Sequence, residues 1–98
     1  MDRELLIFRD EHGSLTVSCP NVHANRGDDL VFYAANLTAH VDLSPTGKKW
    51  DPMEFDVGAS DEGRVTVPQI PKGAYRYSIT SNGDRARGSS DPKIIIPR

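Results

Sequence analysis

Alternation with a period of two runs through most of this chain. In residues 38–43, Ala39, Val41 and Leu43 fall on one side and Thr38, His40 and Asp42 on the other. In residues 74–80, Tyr75, Tyr77 and Ile79 oppose Arg76, Ser78 and Thr80. Successive side chains of an extended strand point to opposite faces, so such a pattern forms one continuous apolar face only on a β-strand. The same reading turns Leu15 and Val17 inward in residues 14–18, Leu30, Phe32 and Ala34 in 29–35, and Val65 and Val67 in 64–67. A weaker strand over 53–57 aligns Met53, Phe55 and Val57. Residues 5–8 and 93–96 are continuous apolar runs, which suit strands covered on both faces, as in a central strand or an oligomer contact.

Turn residues separate these segments: Glu11-His12-Gly13, Gly27-Asp28, Ser44-Pro45-Thr46-Gly47 and Asn82-Gly83. Asn-Gly suits a turn of positive φ. A short helical turn fits within 48–52, and no long helical pattern, internal repeat or linker interrupts the series. About eight short strands at regular spacing predict an all-β Greek-key sandwich forming a single domain over residues 1–98. At 98 residues such a chain buries roughly two thirds of its unfolded surface, enough for one core without cross-links.

The formal net charge of −2 argues against a nucleic-acid footprint. Charge is nevertheless uneven. Residues 1–62 carry 12 acids and 5 bases, a balance of −7, and residues 63–98 carry 2 acids and 7 bases, a balance of +5. Such asymmetry can orient association with a charged partner or a second copy, provided that the folded chain keeps the two signs apart. The single cysteine, Cys19, precludes an intrachain disulfide. The N-terminal residues 1–13 have a run of only four apolar residues flanked by acids, which is neither a secretory signal nor a membrane span. The expected setting is cytoplasmic, and the sequon Asn36-Leu37-Thr38 then has no role.

Several features, in this order, resemble a cupredoxin, the plastocyanin-like sandwich. "NRGDDLVFYAAN" is similar to that family's glycine–acid turn and apolar strand, a histidine follows in "LTAHVDL", "PKGAYRYSI" resembles its Gly-x-Tyr-x-Tyr/Phe strand, and "DPKIII" its last strand. The resemblance covers most of the chain from Gly27 onward. An immunoglobulin- or fibronectin-like sandwich shares the strand count and alternation and stands as the competing fold.

The resemblance implies a copper site, and the residues do not supply it. A type 1 site needs two histidine nitrogens and a cysteine thiolate, usually with a weak axial methionine. The positions after the aromatic strand, Ile79 to Ser81, hold no cysteine, and "TSNGDRARGSSDP" holds no histidine and no methionine. Arg85 and Arg87 put positive charge where a cation would sit. Alternation turns His40 outward, because Val41 and Leu43 claim the core and an inward His40 would take Asp42 with it. Cys19 and His23 lie four apart in "CPNVH" without a second pair, a weak zinc signal, and Cys19 equally packs as a small apolar residue at a strand end. No metal site and no cofactor are expected.

Catalytic motifs are likewise missing: there is no Gly-x-Ser-x-Gly, and the neighbouring acids Asp28-Asp29 and Asp61-Glu62 point to opposite faces. Binding candidates remain. Trp50, in "TGKKWDPM", is either an exposed anchor for a partner or a cap on one end of the sandwich with its indole nitrogen bonded to a loop carbonyl. Arg85 and Arg87 lie in a long polar loop over 82–92, which is either a small anion site or solvated chain. His40 joins them as a surface residue. The function expected is a non-catalytic, copper-free interaction module with a protein partner, a second copy included. A small-ligand or enzyme-accessory domain and a metal-binding or electron-transfer protein are the alternatives.

Overall fold

The computed structural model describes residues 1–59, 61–85 and 92–97. Among these residues there are eleven strands and one 3-10 turn, Ser44–Thr46. No helix among them is long and apolar enough to cross a membrane. The surplus over eight strands has two sources. The segment over 74–80 splits into two strands where it passes from one sheet to the next, and two very short strands, β3 (Asn21–His23) and β10 (Asp84–Arg85), carry too few apolar residues to register in a periodicity.

The first layer has the order β2-β1-β4-β7. β1 (Asp2–Arg9) pairs antiparallel with β2 (Leu15–Val17) and parallel with β4 (Asp29–Ala34), placing Leu5 opposite Phe32 and Ile7 opposite Ala34. β7 (Gly63–Thr66) completes the sheet antiparallel to β4. The second layer comprises β3-β11-β8 and β10-β9-β5-β6. β8 (Gly73–Arg76) and β9 (Ser78–Ser81) are one extended stretch interrupted only at Tyr77. The Tyr77 N–H donates to the Pro92 carbonyl at 3.1 Å, so the ladder with β11 (Lys93–Ile96) runs on through the break. Tyr75, Tyr77, Ile79 and Ser81 therefore all stay buried, as strand alternation requires. β5 (Ala39–Asp42) and β6 (Glu54–Val57) finish this layer beyond β9.

Constant-type immunoglobulin sheets are antiparallel throughout. Here β1 with β4 and β3 with β11 are parallel pairs, which sets this connection order apart from the constant-type immunoglobulin sandwich.

The layers meet through aromatic contacts. The Phe32 ring packs 5.8 Å from Phe55 and 5.9 Å from Tyr77, the latter edge-on, as ring quadrupoles prefer. Gly63 lets these layers close: a Cβ there would lie 2.5 Å from Phe55 and 2.8 Å from Val57. The apolar run over 5–8 is not covered on both faces. Leu5 and Ile7 are buried, but Leu6 is 41% exposed beside Tyr33 at 38%, on the outer face of the first layer. β11 lies between β3 and β8, with Ile94 and Ile96 buried and Ile95 half-buried.

Candidate functional site

The outer face of the second layer gathers most of the chemistry. On β5, alternation sends Ala39 and Val41 inward and leaves His40 and Asp42 outside. On β6 it leaves Glu54 and Asp56 outside, since Phe55 and Val57 face inward. Pairing then fixes who meets whom: His40 lies opposite Asp56 on β6 and Thr80 on β9, and Arg85 lies opposite Thr80 on β10. Arg85, Thr80, His40 and Asp56 thus form one row across four strands, with Ser78, Asp42 and Glu54 in the next.

His40 is held at both ring nitrogens. Nδ1 sits 2.7 Å from Asp56 Oδ1 and Nε2 sits 2.9 Å from Glu54 Oε1. When the ring is protonated both nitrogens donate, which is the arrangement two carboxylates favour, and the bond to Asp56 above all raises the His40 pKa from its ordinary value near 6.5. Asp42 accepts from the Ser44 hydroxyl at 2.6 Å and the Ser44 N–H at 3.0 Å. These bonds, the hydroxyl first, hold its carboxyl below the usual range. The outward direction of His40 agrees with the alternation argument. Its two partners went unnoticed in the sequence, although the inward set of Phe55 and Val57 already turns Glu54 and Asp56 outward.

The residues present do not fit a type 1 copper centre. His40 points away from the core with both nitrogens occupied by carboxylates, and His12 and His23 are exposed on a turn and on β3. Cys19 is half-buried between β2 and β3 and packs against the core cluster. Among the described residues no group of three histidine, cysteine, aspartate or glutamate side chains could hold a metal ion.

Trp50 corrects one of the alternatives. It is 3% exposed, so an exposed anchor for a partner is excluded at this position. It closes the end of the sandwich, and its indole N–H donates to the Thr46 hydroxyl at 2.9 Å rather than to a carbonyl. The helical turn expected over 48–52 forms instead at Ser44–Thr46. Asn82 and Gly83 do take positive φ, 50° and 82°, but the turn they make folds the chain directly back as the β9–β10 hairpin. Arg85 is exposed on that hairpin and Arg87 lies outside the described residues. A groove of about 350 Å³ runs beside it, lined by Gly13, Ser14, Leu15, Gly83, Asp84 and Arg85. The Arg9 guanidinium pairs with Asp84 at 2.9 Å next to it.

Comparison with solved structures identifies the architecture. A reduced proline-to-phenylalanine mutant of amicyanin superposes with a TM-score of 0.59 at 12% identity, over 93% of this chain and 79% of that one. A proline-to-glycine amicyanin mutant in its reduced Cu(I) form at pH 4 gives 0.56 at 13% identity, over 98% and 84%. The fold is cupredoxin-like. A heme–copper terminal oxidase dimer contains a similar chain, with a TM-score of 0.59 at 12% identity, of which 63% is covered by 97% of this cupredoxin-like chain. No family model and no curated protein sequence matches.

Proposed function

We propose that this chain is a non-catalytic, copper-free interaction module that meets a protein partner, a second copy included, through the outer face of its second layer. The observation that carries the reading is His40, turned outward and held between Asp56 and Glu54. An imidazole committed to two carboxylates is neither a free metal ligand nor a base bonded to a nucleophile, and the metal-bearing neighbours lend only their scaffold. The proposal places the module in the cytoplasm and away from membranes and nucleic acid; the net charge of −2 supports the last point.

Copper titration with metal analysis and visible absorption tests this reading. The expected result is no stoichiometric copper and no thiolate-to-copper absorption. Copper bound one-to-one, and lost on both Cys19→Ser and His40→Ala, would replace the reading with a redox centre. A second reading, a small-ligand or accessory site, draws on the groove beside Arg85, whose volume of about 350 Å³ is at the low end of ligand pockets. Saturable chemical-shift changes confined to Ser14, Gly83 and Asp84 on adding a small anion such as phosphate would favour it.

A further inference from the structure

The outer face of the second layer is divided by charge. On one side, Arg76 and Lys93 stand directly opposite each other on β8 and β11, with Asn21 of β3 next in the row. Like charges directly across a strand pair repel, so this placement is costly to the isolated chain. Neither cation has an ion pair among the described residues. On the other side, Asp42, Glu54 and Asp56 cluster on β5 and β6, with His40 between the last two. Strand spacing and rise put Lys93 roughly 16 Å from Glu54, beyond a Debye length at physiological salt, whereas Arg76 and Asp42, diagonal neighbours across β5 and the β8–β9 stretch, are roughly 8 Å apart, so only the near edges of the two clusters offset one another within a chain.

A face with separated charge clusters is complementary to a copy of itself. A two-fold axis lying in the plane of the face, perpendicular to the line joining the clusters and crossing it near Ser78, exchanges them. Each cation pair then lies over the partner's acidic cluster, twice per dimer, as an isologous contact requires. The molecule measures 36 × 28 × 20 Å, and the short dimension suits two stacked sheets about 10 Å apart. The broad face left for docking is ample for the roughly 800 Å² per partner that a standard interface buries.

We infer that two copies of this chain dimerise face to face through the outer face of the second layer, Arg76 and Lys93 of each docking on Asp42, Glu54 and Asp56 of the other. This rests on the interaction reading and narrows its partner to a second copy. Copper binding would defeat that reading without bearing on solution mass, so the two failures are separate observations.

The test is solution mass by sedimentation equilibrium, with salt and charge reversal as variables. At low salt the mass should approach twice the 10.8 kDa of one chain, and about 0.5 M salt should return it to that value by screening. The double variants Arg76→Glu/Lys93→Glu and Glu54→Lys/Asp56→Lys should each be monomeric under conditions where the native chain is dimeric. Mixing the two should restore a one-to-one dimer, which also certifies that both are folded. A native chain that stays monomeric at low salt and about millimolar concentration overturns the proposal. So does a dimer that survives in both reversed variants, because it would then use another surface.

Discussion

Three residues give their positions away by what a substitution there must do. Gly63 has no room for a Cβ against Phe55 and Val57, so Gly63→Ala forces the layers apart. Overpacking of this kind costs about 1–3 kcal/mol, and urea denaturation should show the midpoint falling at unchanged slope. The Tyr77 hydroxyl is buried with no hydrogen-bond partner among the described residues, and burial pushes the phenol pKa up. Tyr77→Phe removes an unsatisfied polar atom at nearly constant shape, so stability should hold or rise; a loss above about 1 kcal/mol would reveal a partner for that hydroxyl. For His40 the folded pKa lies above the ordinary value near 6.5. Its contribution is therefore complete below that value and is lost as pH rises through the folded pKa. Compared with His40→Gln, the native chain should be favoured below about pH 6.5, with the gap closing as pH rises through the folded His40 pKa. An ion pair this exposed contributes no more than about 1 kcal/mol, and a gap that widens with pH would contradict the arrangement.

At the scale of elements, the segment from Ser44–Thr46 to Trp50 works as a plug for one end of the sandwich. Thr46 Oγ1 donates to the Leu43 carbonyl at 2.6 Å and accepts from the Trp50 indole and the Lys48 N–H. Thr46→Val keeps the shape and leaves a buried indole N–H unpaired, which costs about 1–3 kcal/mol and should shift the tryptophan emission as the ring loosens. Most of the elements were legible in the sequence, because alternation reports directly which face of a strand is wet. The inward sets of β2, β4, β5 and β7 stand where the pattern puts them. Residues 5–8 were less legible: an apolar run says that a strand exists but leaves open what covers its second face. β10 was hidden because a two-residue strand has no period, although Asn82-Gly83 marked the turn that creates it.

Across the whole molecule, stability converges on the aromatic contact between layers. Phe32 is fully buried and touches both Phe55 and Tyr77. Phe32→Ala should cost about 3–5 kcal/mol, a large share of the 5–15 kcal/mol that holds a typical domain, and calorimetry should show a correspondingly lower Tm with the transition still cooperative. The candidate face belongs to this scale as well. That His40 points outward followed from Val41 and Leu43 alone, and the lack of a cysteine or histidine after the aromatic strand is plain in the sequence itself. Sequence by itself determined the strands and their inward faces, because side-chain direction is a local consequence of an extended backbone. Only the tertiary structure decided that Asp56 and Glu54 grip His40, that Lys93 faces Arg76, and that Trp50 is a plug rather than an anchor. Those contacts depend on register and layer order between segments far apart in the chain, and no local pattern encodes which distant strand becomes a neighbour.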